Sequence, residues 1–149
     1  MLLLLFETRE GRYAMTTEYI VEIVPHVHCK RIPKSQDYVS GIINYRGNPV
    51  PVIDLCTLLE NAPCESRYST RIILVDYPLG DGGKKLLGLI AQRVTETVKF
   101  KHKGPISSTV VLDDDLYSTV SSSKQEEMIQ WFDLKKMIPR KLINELIQD

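Results

Sequence analysis

Two aspartates stand at matched places in this chain. Asp54 follows Val50-Pro51-Val52-Ile53, and Asp133 follows Ile129-Gln130-Trp131-Phe132. Two carboxylates could share acid–base work if they met in one cleft. Each, however, ends a strand-like run and precedes a Leu with further apolar residues at helical spacing. Each is therefore expected to cap a short helix by accepting its first free main-chain N–H groups. His26-Val27-His28-Cys29 offers nitrogen and sulfur ligands. On a strand, His26 and His28 share a face and Cys29 points away. A closed zinc site needs more ligands than these, and no Cys-x-x-Cys pair supplies them. Gly80-Asp81-Gly82-Gly83 lacks the Lys-Ser/Thr that follows a phosphate loop. With only 3 histidines, no Ser/His/Asp or Cys/His nucleophilic set can be ordered. The expected chain is a binding module without metal, cofactor or catalytic residue.

Composition narrows the partners. The 149 residues fit one domain, or two very small units sharing a core. The 19 basic side chains are cancelled by 19 acidic ones, which argues against wrapping nucleic acid or lying on anionic lipid. With 43% apolar residues the chain is not of the disordered class. The apolar run Met1 to Phe6 is too short to span a membrane, and no basic region precedes it. A cytoplasmic location is expected, with Cys29, Cys56 and Cys64 as reduced thiols. Charge separates only locally. Basic groups dominate from Lys84 to Lys103 and acidic ones from Asp113 to Glu127. In Val98-Lys99-Phe100-Lys101-His102-Lys103, strand alternation puts the lysines on one face and Val98, Phe100 and His102 on the other.

These residues must be positioned by many short strands and a few short helices. Leu2 to Phe6 and Arg12 to Met15 flank Glu10-Gly11 as a hairpin. Thr16-Thr17-Glu18 reads as a helix start, Ile20, Ile23 and Val24 as its apolar face, and Pro25 as its stop. Val27 to Ile32 is an expected strand, and Ser35 to Ser40 a turn or short helix closed by Gly41. Ile42 to Tyr45 and Val50 to Ile53 flank the hairpin turn Arg46-Gly47-Asn48-Pro49. Asn61 to Ser69 reads as a linker. Arg71 to Tyr77 and Leu86 to Ile90 flank the glycine-rich loop. A short helix near Gln92 to Glu96, a strand from Ile106 to Leu112, a loop from Ser118 to Glu127 and a strand from Met128 to Phe132 follow. Pro139 suits the first turn of a last helix that buries Leu142, Ile143, Leu146 and Ile147.

An internal repeat organises these elements. Val50 through Leu59 matches Ile129 through Ile138 without a gap, and the same offset carries Tyr38 onto Tyr117. A slightly shorter offset carries Ile20-Val21-Glu22-Ile23-Val24 onto Val94-Thr95-Glu96-Thr97-Val98. One small β unit is used twice, and units this small are expected to pack against each other.

The stretch Tyr38-Val39-Ser40-Gly41-Ile42-Ile43-Asn44-Tyr45-Arg46-Gly47-Asn48-Pro49-Val50-Pro51-Val52-Ile53-Asp54-Leu55 resembles the signature of the CheW-like domain, the coupling module of bacterial chemotaxis. Val21-Glu22-Ile23 is similar to the family's Val-x-Glu-Ile segment. Leu86-Leu87-Gly88-Leu89-Ile90 with Val94-Thr95-Glu96 is similar to its second-half segment. Tyr45 stands where the family usually has Leu. The resemblance implies a mainly β fold of two pseudo-symmetric, five-stranded β-barrels packed together, with short helices and a C-terminal helix. On the chain this means barrel one over 12–60, barrel two over 70–138 and a helix over 139–148, with strand 2–6 free to join either barrel.

The resemblance also implies an adaptor. Its partners are the helical cytoplasmic tip of a chemoreceptor and a histidine-kinase regulatory domain, in receptor arrays at the inner membrane. Expected partner-binding residues are Glu22, Val24, Val27, Arg46, Gly47 and Val98, with the valines lining an apolar groove for a helix. Gly41, Asn44, Asp54 and Asp133 are expected to be structural. Arg46 is expected beside Glu22, a planar fork meeting a carboxylate in two bonds. The second half has Glu96 in the place of Glu22 but Gln125 in that of Arg46, so the fold does not demand the pair. Two other readings are a scaffold for a non-motility pathway built from the same parts, and a barrel that binds single-stranded nucleic acid. Lys99, Lys101 and Lys103 support the last only weakly, since they interleave with a single aromatic, Phe100.

Overall fold

The computed structural model describes residues 2–99, 119–121 and 128–147. The strands are β1 (Leu2–Glu7), β2 (Arg12–Thr16), β3 (Ile20–Pro25), β4 (Val39–Tyr45) and β5 (Asn48–Asp54), then β6 (Arg71–Pro78), β7 (Lys84–Ala91), β8 (Arg93–Lys99), β9 (Thr119–Ser121) and β10 (Met128–Trp131). The helices are α1 (Leu55–Glu60), α2 (Leu134–Met137) and α3 (Arg140–Ile147). The fold is mainly β, as expected, with two five-stranded sheets. Lys101, His102, Lys103, the run Ile106 to Leu112, Tyr117 and Gln125 lie outside the described residues.

Two expected helices are strands. Ile20 to Val24 forms β3 after a single 3-10 turn at Thr17–Tyr19. The segment near Gln92 to Glu96 enters β8. Both are dense in β-branched residues, which lose side-chain freedom in a helix and fit a pleated sheet. Over so few residues a spacing of three or four cannot be told from alternation. Three smaller expectations also change. Val27 to Ile32 forms no continuous strand and contributes one bridge, Lys30 to Ile42. Ser118 to Glu127 is not all loop, since Thr119–Ser121 is β9. The cysteines are not all thiols: Cys56 and Cys64 form a disulfide, and buried Cys29 stays unbridged.

The chain forms two compact units. The first takes residues 1–7, 11–18 and 95–149, and the second takes 8–10 and 19–94. This corrects the expected division at 12–60 and 70–138. The hairpin β6–β7 belongs to the sheet of β3, β4 and β5, in the order β3-β6-β7-β5-β4. The N-terminal hairpin β1–β2 belongs with the late strands, in the order β8-β1-β2-β10-β9. The repeat is visible in this common order. In the parallel ladders, Val52 lies beside Gly88 and Trp131 beside Ala14. Val52 maps on Trp131 by one repeat offset and Ala14 on Gly88 by the other.

In the second unit all five strands feed one core of Cys29, Ile43, Val50, Val52, Ile72, Leu74 and Ile90, with Val24, Tyr45 and Leu86 packed against it. In the first, Leu3, Leu5, Ala14 and Ile129 form a core that Val98 and Trp131 join. Phe6, Tyr13 and Phe132 form an aromatic cluster in that unit, with Phe6 5.6 Å from each of the others. Leu142 and Ile143 of α3 are buried as expected, and Leu146 is half-buried.

Both aspartates cap helices. Asp54 Oδ1 accepts from Cys56 N at 2.9 Å and Thr57 N at 3.2 Å. Asp133 Oδ1 accepts from Lys135 N at 3.1 Å and Lys136 N at 3.3 Å. Asp54 also takes Cys64 N, at 3.1 Å to Oδ2, and is buried. Burial pushes its carboxyl up, and the N–H bonds from Thr57, Cys64 and Cys56 pull against that. Asp54→Ala should cost about 2 kcal/mol, and the more exposed Asp133→Ala about 1 kcal/mol. Denaturant unfolding of the two variants checks the order. Equal losses would mean that the Cys64 bond adds nothing.

Candidate protein-binding surface

The second sheet has two edges, β3 and β4. Glu22 sits on β3 among residues that alternate inward and outward, with Ile20, Glu22 and Val24 half-buried and Val21, Ile23 and Pro25 exposed. Tyr45 ends β4, and its phenol donates a hydrogen bond to Glu22 Oε2. The two edges are thus joined by side chains, which closes the sheet where no ladder runs.

The next residues make a tight turn. Tyr45 pairs with Asn48, leaving Arg46 and Gly47 as a two-residue loop. Both have positive φ, 50° and 83°, as a type I′ hairpin requires. Glycine takes this conformation freely, whereas Arg46 is held there at some cost. Asn44 Oδ1 accepts Gly47 N at 2.9 Å and fixes the loop. The loop aims Arg46 back over the strand end. Its guanidinium carbon lies 5.2 Å from the Tyr45 ring centroid, and Nη2 lies 3.6 Å from Glu22 Oε2. The expected neighbours therefore meet, although through one contact rather than a two-bond fork. The Arg46 side chain is 75% exposed and that of Glu22 41% exposed. An ion pair this open contributes little stability.

Gly41 lies on β4 at the close approach to Lys30. Its φ is 139°, and a Cβ there would lie 2.2 Å from Lys30 O. This close approach allows the Lys30 to Ile42 bridge that covers part of the β4 edge. His26 and His28 lie off any ladder, and His26 Nδ1 lies 3.3 Å from Ser66 Oγ.

Comparison with known proteins shows the family. The family model of the CheW-like domain matches residues 2–141. The chain belongs to the CheW-like family. A chemotaxis protein CheW of Helicobacter pylori is 28% identical over 122 residues, 80% of this chain and 70% of that protein. One of Klebsiella aerogenes is 22% identical over 137 residues, 91% of this chain and 80% of its own length. The crystal structure of the scaffolding protein TtCheW from Thermoanaerobacter tengcongensis has the same fold, with a TM-score of 0.72 at 24% identity, covering 93% of this chain and 92% of that one.

Within this CheW-like chain the expected site residues divide. Glu22, Val24, Val27, Arg46 and Gly47 all belong to the second unit, and Val98 to the first. Val24 and Val98 are half-buried and pack on the cores of their own units. Val27 is exposed, as are Val21 and Ile23. Reading β3 as a helix sets Ile23 on one face with Ile20 and Val24. Strand alternation turns Val21 and Ile23 outward instead. Tyr45 was legible only as a departure from the family pattern, and nothing in the sequence showed that its hydroxyl reaches Glu22.

The bond to Glu22 raises the Tyr45 phenol above its ordinary value of 10.0, with burial and the Glu22 charge adding and the Arg46 charge opposing. The folded chain then keeps a proton that the unfolded chain loses. The stability from this bond is present below pH about 10 and is lost as pH rises through the raised value. An ultraviolet titration, read as the difference from Tyr45→Phe, should place Tyr45 above ordinary tyrosine. Glu22→Ala should bring it back down. An unchanged titration in Glu22→Ala would show that the bond is not made.

Proposed function

We propose that this chain is a non-enzymatic adaptor of bacterial chemotaxis. It holds a histidine-kinase regulatory domain to the cytoplasmic tip of a chemoreceptor, at receptor arrays on the inner membrane. Signal then passes as coupling free energy between two binding sites, with no chemistry in the adaptor. Family membership supports this reading. The observation that carries it is the Arg46 side chain, which is largely exposed, held in a conformation that favours glycine, and steadied by Tyr45 and Glu22. A strained, exposed charge that contributes little to the fold is a hallmark of a surface built for recognition. Exposed Val27, Val21 and Ile23 supply apolar contact of the kind an amphipathic receptor helix needs.

The experiment uses the full chain, with the kinase and receptor fragments encoded near its gene. Binding to at least one is expected. Arg46→Gly separates recognition from folding, because glycine suits the turn. It should keep or slightly raise the melting temperature and weaken partner binding by about tenfold or more. Normal binding by Arg46→Gly would remove the surface from the proposal. A well-folded chain that binds neither partner would end the adaptor reading, and salt-dependent retention on single-stranded nucleic acid would replace it.

A further inference from the structure

The loop after α1 carries more anchoring than a linker needs. Cys64 N is held by Asp54, at 3.1 Å to Oδ2. The next residue is clamped twice by buried Gln92: Glu65 N donates to Gln92 Oε1 and Gln92 Nε2 donates to Glu65 O, both at 2.8 Å. Buried Thr70 closes the far side by donating from Oγ1 to Glu65 O at 2.7 Å. None of these bonds passes through sulfur. The loop therefore keeps Cys64 next to α1 whether or not the Cys56–Cys64 disulfide is closed.

One ligand atom each of Asp54, Cys56 and Cys64 lies within 4.8 Å of the others. Asp54 and Cys56 are buried and Cys64 is half-buried. The two sulfurs are bonded to each other here; parted by reduction and deprotonated, they and the carboxylate oxygen make a donor set for a tetrahedral divalent ion, with water in the fourth position. The sequence hides this set, because the two cysteines are far apart in any zinc-ligand spacing and the His26-Val27-His28-Cys29 run draws the eye elsewhere.

We propose that the dithiol form of this chain binds one zinc ion through Cys56, Cys64 and Asp54, so that disulfide closure and metal binding exclude each other. A dithiol reductant breaks the Cys56–Cys64 bond by giving two electrons and two protons, and is itself oxidised to a disulfide. Zinc then displaces the two thiol protons to solvent and is held by two thiolates and the carboxylate. Half-buried Cys64 is the sulfur that the reductant reaches. Asp54 turns Oδ2, which takes only the Cys64 N–H, toward the ion while Oδ1 keeps its cap on α1. Cys29 is no part of the set.

The test loads the full chain with zinc after reduction by a phosphine, which does not itself chelate the ion. Native mass spectrometry should show one zinc per reduced chain and none on the oxidised chain. Zinc should raise the melting temperature of the reduced chain. Reduced Cys56→Ser and Cys64→Ser should lose both effects, and Cys29→Ser should keep them. Asp54→Asn, which can still cap α1, should bind zinc more weakly. Equal loading of oxidised and reduced chains would overturn the proposal. So would zinc retained by Cys56→Ser with Cys64→Ser, or lost in Cys29→Ser.

Discussion

Neither of the two repeats, β1 to β5 and β6 to β10, contains a complete sheet among the described residues. The strands from Ile20 to Asp54 need the hairpin β6–β7, and the strands from Arg93 to Trp131 need the hairpin β1–β2. The parallel ladders make the constraint concrete. β5 must find β7 across α1 and the disulfide loop, and β10 must find β2 from the other end of the sequence. Pairing at such separations makes folding depend on loop closure before contacts reward it, which is expected to slow it. It also means that the repeat was legible in order but not in membership.

The second consequence concerns edges. A five-stranded sheet leaves two strands half-paired, and such edges invite association. In the second unit Lys30 bridges part of β4, and Tyr45 ties β4 to Glu22 on β3. The same tie sets Arg46 on view. Closing the sheet and presenting a charge are thus one arrangement, built from a two-residue turn and a carboxylate on the opposite edge. The tyrosine is the part that does both, since its ring packs on the core while its hydroxyl reaches the surface.

What the residues revealed follows from how local the forces are. The hairpins at Glu10-Gly11, Arg46-Gly47 and Gly80-Asp81-Gly82-Gly83 were readable because glycine marks a turn within a few residues. Asp54 and Asp133 were readable as caps for the same reason. Glu22 and Arg46 were paired through the family pattern, not through spacing. β3 and β8 are ambiguous in the sequence because a run of about five residues fits two periods, and only their β-branching favours the strand. The expectation of reduced thiols rests on the redox setting of the whole chain and is blind to which cysteines the fold brings together. The loop that brings Cys64 back to Cys56 depends on Gln92 and Thr70, whose roles no local pattern announces.

The exchange of hairpins is the claim on which the placement of every surface residue rests. It is tested most directly by native-state amide exchange on the full chain carrying Val52→Ala, a cavity in the second core costing about 2 kcal/mol. Faster exchange in β6 and β7 together with β3, β4 and β5, with β1 and β2 unchanged, is the expected result. Faster exchange in β1 and β2 with β6 and β7 protected would show that each half of the chain folds on itself, and would contradict it.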